Sequence, residues 1–258
     1  MMFAFAQFRG RWRGWLGLAL LVGMFAGAVG TLASGAQRTD TAYPRLVTWS
    51  RAPDAVLYSP MFSSGTFARV RPGQVAQLPQ VSAAATAMAY TVTNPAEIAL
   101  IAPEDGRIPG QMWARKLIAG RLPDPASPGE ADIAFTTARD FNLAVGDSLS
   151  LPLLTMSSTS KTVRLRIVGI DAAPAEFPPS TGTGNDAVWT TPAFYRQHAN
   201  QSLLEFEVIA VRLRHGVADW NATQHALNRL GQGRVMQAFT LADAGAPTQR
   251  SIHLQVVA

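Results

Sequence analysis

The sequence predicts an α+β protein: one N-terminal transmembrane helix followed by an extracytoplasmic domain of two subdomains with mixed and antiparallel sheets. Three observations point there. They are a charge-free apolar stretch from Gly14 to Gln37, strand-then-helix patterns near both ends of the remaining chain, and a strongly alternating run between them.

The apolar stretch has the length of a membrane span. About 20 residues at roughly 1.5 Å rise match a hydrocarbon core of about 30 Å, and Trp12 and Trp15 suit the headgroup boundary. Arg9, Arg11 and Arg13 predict that the N-terminal arm stays in the cytoplasm and that everything after Arg38 lies outside the plasma membrane. Residues 1–37 are therefore read as cytoplasmic arm and transmembrane helix. A cleavable signal peptide is the competing reading, since Ser34-Gly35-Ala36 offers small residues at a suitable spacing, but its apolar core is usually only about 7–15 residues. At 100° per residue, Ala19, Gly23, Ala26, Gly27, Gly30 and Ser34 fall within about 60° of one line, opposite Leu18, Leu21, Phe25 and Leu32. The smooth side, with Gly23, Gly27 and Gly30, is the expected packing face for another transmembrane helix.

Of 22 basic and 17 acidic residues, three arginines belong to the N-terminal arm, leaving a near balance that gives no reason to expect nucleic acid. The arginines recur in alternation, as in Arg69/Arg71, Arg164/Arg166 and Arg212/Arg214, which suits a solvated strand face. Cysteine is absent, excluding disulfides, thiolate metal sites and cysteine nucleophiles.

Residues 36–51 read as a polar connector broken by Pro44. A strand over 54–59, a short helix over 74–78, a strand from Val81 extended to Thr93 and another over 97–102 make a β-α-β-β unit. The Pro- and Gly-dense run Gly120–Glu130 marks a boundary. Beyond it come a strand over 132–135, a short helix capped by Thr136 or Thr137, a strand over 148–154, and Lys161–Ile170, whose alternation reads as a half-buried strand of an antiparallel sheet. Residues 172–186 read as a long loop. A strand over 205–213 and a helix over 217–230, stopped by Gly231, return to the first pattern. The outer domain thus divides into one α+β subdomain built from 38–120 and 187–250, and an inserted, mostly-β subdomain at 121–186. Residues 251–258 are an apolar run with no closing turn, expected to start a second membrane helix in a longer protein.

Chemistry is sparse. The glycine-rich Ser180–Asp186 loop lacks a phosphate-reaching lysine, and His198, His215, His225 and His253 show no metal-ligand spacing. Ser63-Ser64-Gly65 reads as a turn. The carboxylate pairs Glu104/Asp105 and Glu205/Glu207 read as solvated surface charge. These features point away from an enzyme and toward a binding or force-transmitting module without catalytic residue, cofactor or metal.

Three short motifs stand in order along the outer domain: Gly120-Arg121-Leu122-Pro123, then Ala138–Leu149 with its Val145-Gly146-Asp147, then Val168-Gly169-Ile170. With the N-terminal span, and with residues 35–43, which are similar to the exit from the first helix in actinobacterial members, this order resembles the extracytoplasmic core domain of FtsX/MacB-type ABC-transporter permeases. The resemblance implies further transmembrane helices, a separate cytoplasmic ATPase subunit, pairing into a dimer, and an outer domain that moves with the membrane helices. A single-span or secreted non-catalytic binding protein for a lipid or peptide is the alternative, with a hydrolase of unusual site as a third.

Overall fold

The computed structural model describes residues 42–61, 63–93, 98–174, 186–199, 201, 203, 205–235 and 237–240. The predicted span with Gly23, Gly27 and Gly30, the 251–258 run and most of the 172–186 loop lie outside the described residues. No helix among the described residues is long and apolar enough to cross a membrane. Leu46–Arg250 forms one compact unit.

Residues 42–49 are helical (α1), so the expected connector is ordered at its end. Pro44 is tolerated because it falls in the first turn, where its missing N–H has no helical partner to lose. The chain continues through β1 (Ala55–Pro60), α2 (Pro72–Ala76), β2 (Val81–Thr91), β3 (Ile98–Pro103), the single turn α3 (Arg107–Gly110) and β4 (Lys116–Gly120). Then follow β5 (Glu130–Ala134), α4 (Phe135–Asp140), β6 (Ser148–Leu154), β7 (Ser160–Ala172) and β8 (Asp186–Trp189). Last come α5 (Pro192–His198), β9 (Glu205–Leu213), α6 (Trp220–Leu230) and β10 (Gln237–Thr240).

The strands form one mixed sheet in the order β10-β1-β9-β2-β3-β8-β5-β7-β4, with β6 paired to β7. The two sheets expected from the sequence are thus joined, because β8 runs parallel to β3 of the 38–120 stretch and antiparallel to β5 of the 121–186 stretch. β7 is antiparallel to β4 and β6, as its alternation suggests, yet parallel to β5, from which the chain crosses over through α4 and β6.

Strand alternation sorts the core. On one face, Leu57, Ile209 and Val211 pack with Val75 of α2 and Leu227 of α6, while Trp220 and Leu230 are partly buried against them, the apolar side expected of that helix. Farther along, Met88, Tyr90, Leu100, Ile133, Val163, Leu165 and Ile167 pack with Phe194 of α5. The other face carries Val56, Ala85, Ala87, Ile101, Val208 and Ala210, covered by Ile108, Met112 and Trp113.

Two helix starts depart from expectation. Thr136 and Thr137 do not cap α4; Ala134 holds the N-cap without a side-chain bond, and both threonines are buried inside the helix. The cap chemistry sits on α5, where Thr191 Oγ1 accepts from Phe194 N–H at 3.1 Å and Pro192 follows. Helix α6 begins at Trp220, later than the expected Val217, because residues 216–219 form a 3₁₀ turn tied back by Asp219 to His215.

Candidate functional site

The three motifs singled out in the sequence meet where β4 leaves the sheet edge against β7. Gly120 (φ 73°) ends β4, and Arg121 N–H donates to the Val168 carbonyl at 2.9 Å. Gly146 (φ 103°) donates to Ile167 O at 2.8 Å, and Ile167 N–H donates to Asp147 O at 2.9 Å. The glycines are needed by packing as well as by dihedral angle. A Cβ on Gly120 would lie 2.2 Å from Val168 O and 3.0 Å from Val145, and one on Gly169 would lie 2.3 Å from Arg121 O. Three segments up to 49 residues apart therefore share one backbone crossing, with no room for a methyl group at two of its points.

Arg121 secures this crossing to the next strand. Its guanidinium forms a two-pronged pair with Glu130, Nη1–Oε2 at 2.7 Å and Nη2–Oε1 at 2.6 Å, and Asp124 N–H donates to the same carboxylate at 3.0 Å. These bonds hold the Glu130 carboxyl down at about 2, with the Arg121 hydrogen bond the largest cause. The Pro- and Gly-dense run Gly120–Glu130 is thus a closed loop with its ends clamped. Around it, Leu117, Ile118, Leu122 and Val145 are large apolar side chains left exposed, and every residue of the edge strand β4 is exposed.

Two charged centres lie beneath the surface, on opposite faces of the sheet. On the face covered by Trp113, Arg115 Nε donates to Asp132 Oδ2 at 2.8 Å and to Asp171 Oδ2 at 2.9 Å, while Arg115 Nη2 reaches Asp132 Oδ1 at 3.1 Å. All three side chains are almost fully buried, and the guanidinium lies 4.6 Å from the Trp189 ring centre. Burial opposes the Arg115 charge, but the two aspartates outweigh it and raise its pKa. The triad ties the segment before β4 to β5 and β7. Nothing in the sequence reading marked it.

On the opposite face, the carboxylates read as solvated prove otherwise. Glu207 is only 4% exposed and pairs with Arg69 at 2.8 Å; Glu205 is half-buried opposite Tyr90, and Glu104 is half-buried at the end of β3. Asp105 alone fits the surface reading, in an exposed pair with Arg107. The misreading has a physical cause. Alternating Glu205 and Glu207 look like an outward strand face, but β9 is central and its face is covered.

Burial, then the Glu207 charge, raises Glu205 from about 4.5 to about 7, and burial followed by Glu207 raises Glu104 as well. A carboxyl that holds its proton more tightly when folded stabilises the fold at low pH, and this contribution disappears as pH rises from about 4.5 to about 7. The thermal midpoint is expected to fall between about pH 5 and pH 8, and Glu205→Gln to flatten that fall. An equal slope in wild type and variant, read by circular dichroism melts, overturns the assignment.

Other residues singled out in the sequence take structural roles. Ser64 Oγ accepts from the Thr66 and Phe67 N–H groups, closing the expected turn. His198 is buried, His215 and His225 are exposed, and His253 lies outside the described residues. Among the described residues, no group of three or more His, Asp or Glu is placed to hold a metal ion. The paired arginines divide: Arg164 and Arg166 point outward from β7, whereas Arg69 joins Glu207 and Arg212 donates to Arg51 O at 2.9 Å.

No family model and no curated protein matches the chain. Among solved structures, it is similar to the extracellular domain of the ABC-type transporter YknZ from Gram-positive bacteria, at 12% identity and a TM-score of 0.39, over 68% of this chain and 91% of that one. It is also similar to the periplasmic region of MacB from Actinobacillus actinomycetemcomitans, at 8% identity and a TM-score of 0.37, over 78% of this chain and 94% of that one.

Proposed function

We propose that the chain is a permease subunit of an ABC transporter, or its N-terminal part, whose extracytoplasmic domain couples membrane-helix motion to substrate handling or force transmission. The supporting observation is the crossing at Gly120, Gly146 and Gly169, where motifs that resemble the FtsX/MacB-type core domain in order also interlock in space. A domain that relays movement needs stiffness more than reactive groups, and methyl-tight backbone contacts with a buried ionic triad supply it. In this reading residues 1–37 place the arm in the cytoplasm and the span in the plasma membrane. Gly23, Gly27 and Gly30 receive a further transmembrane helix, and residues 251–258 lead into another span. The stretches 38–120 with 187–250, and 121–186, act as two subdomains on a shared sheet, and the subunits pair as a dimer driven by a separate cytoplasmic ATPase.

The test is biochemical. Full-length protein tagged at its cytoplasmic N-terminus and extracted in mild detergent is expected to bring down an ATP-hydrolysing subunit. Recovery without any ATPase, under conditions that keep the outer domain folded, overturns the proposal.

A further inference from the structure

One cleft carries chemistry that the proposed transport role does not use. It has a volume of about 330 Å³ and lies between β7 and α5. Its walls come from both chain stretches: Gly129, Lys161 and Arg164 from one, Phe194, His198 and Gln201 from the other. Those walls are tied in place. Thr191 Oγ1 donates to Ser127 O at 2.8 Å, Ala193 N–H to Pro125 O at 3.2 Å, and Lys161 Nζ to Gln201 Oε1 at 2.7 Å.

The lining has one sign of charge. Lys161 and Arg164 stand at the exposed rim, and among the described residues no carboxylate contributes to the cleft. Arg164 forms no ion pair among the described residues, so its planar donor fork is available to an oxyanion. The inner wall is closed by Phe194 and His198, whose buried rings stack on each other at 4.1 Å. His198 Nδ1 lies 2.9 Å from Phe194 O, and since a carbonyl only accepts, Nδ1 carries the hydrogen and Nε2 is the ring nitrogen outside this bond. A bare oxyanion would fill a small part of such a volume. A ligand with an anionic head and a compact uncharged body uses both the cationic rim and the space behind it.

We infer that this cleft binds an organic phosphate, its phosphate at the Arg164 and Lys161 rim and its body in the space between β7 and α5. The site stands whether or not the chain is a permease. A lipid headgroup and a free phosphomonoester share the chemistry, and titration calorimetry on the full chain in a nonionic detergent separates them, using glycerol 3-phosphate, dihexanoyl phosphatidylglycerol and inorganic phosphate, with dihexanoyl phosphatidylcholine as control. Glycerol 3-phosphate is expected to bind, more weakly as salt rises from about 0.05 to about 0.5 M. The double substitution Lys161→Gln and Arg164→Gln is expected to weaken it at least about tenfold without changing the melting temperature, both side chains being exposed. Gly129→Phe tests the cleft without altering charge, because Gly129 lines it and a Cβ there meets nothing within 4 Å. Tighter binding of phosphatidylglycerol than of glycerol 3-phosphate assigns a lipid source, and the reverse a soluble one. No binding of any of the three phosphates at about 10 mM, or equal binding by wild type and both variants, overturns the inference.

Discussion

Replacing Asp132 with alanine is expected to lower the stability of the folded domain by about 3–5 kcal/mol. Arg115, Asp132 and Asp171 are nearly sealed from solvent, so each charge has lost its hydration and depends on the others. Asp132 supplies two of the three bonds Arg115 makes to carboxylates, and Arg115 Nη1 already lacks a hydrogen-bond partner. Without Asp132 the guanidinium keeps its desolvation cost and loses most of its compensation. Asp105→Ala, in the exposed pair with Arg107, sets the scale from the other side at about 0–1 kcal/mol. Urea denaturation followed by tryptophan fluorescence reads the difference, with Trp113 and Trp189 edge to face at 5.4 Å beside the triad. Substituting all three charged residues by apolar side chains of similar volume is expected to cost far less than Asp132→Ala alone, because no charge is then left buried. A loss below about 1 kcal/mol for Asp132→Ala contradicts the account.

The legible parts of this domain are those where neighbouring residues share one environment. In β7, Val163, Leu165 and Ile167 face the core while Arg164 and Arg166 face out, so period-two alternation is visible along the chain. In α6 the spacing of Trp220, Leu227 and Leu230 marks the side turned to the sheet. Four residues long, β8 shows too little pattern to be seen, yet it joins what the sequence reads as two sheets. β4 escaped notice for another reason: Leu117 and Ile118 are apolar on an exposed edge, so no alternation with solvent appears. The triad illustrates a deeper limit. Asp132 within Ala131–Ala134 looks like a strand residue turned to water, and only the placement of Trp113 over that face, with Trp189 beside the aspartate on β8, shows it is buried. The candidate site was half readable. Its glycine motifs stand out in order along the chain, whereas their meeting at one crossing depends on β4 and β7 pairing across about 50 residues of intervening sequence.

Alanine substitution at four glycines is expected to separate the two demands made at this crossing. Gly129 has an ordinary backbone and open space, so Gly129→Ala should be neutral or stabilising by up to about 1 kcal/mol through the unfolded chain. Gly146 has open space but a φ of 103°, so only the dihedral cost applies, about 1–2 kcal/mol. Gly169 reverses this: its backbone suits an L-residue, but its Cβ would press on Arg121 O at 2.3 Å, and a carbonyl cannot rotate away as a side chain can, giving about 1–3 kcal/mol. Gly120 meets both penalties, with φ 73° and Val168 O at 2.2 Å, so about 3–5 kcal/mol follows. The expected order of destabilisation, Gly129 below Gly146 and Gly169, with Gly120 largest, is read from denaturation midpoints. It also bears on function. If the crossing relays movement, Gly169→Ala should reduce transport-linked ATP hydrolysis at temperatures where the domain is still folded, because the strain displaces Arg121 and loosens its clamp on Glu130, whereas Gly129→Ala should leave hydrolysis unchanged. Equal hydrolysis by both variants would confine these glycines to stability and remove the crossing from the mechanism.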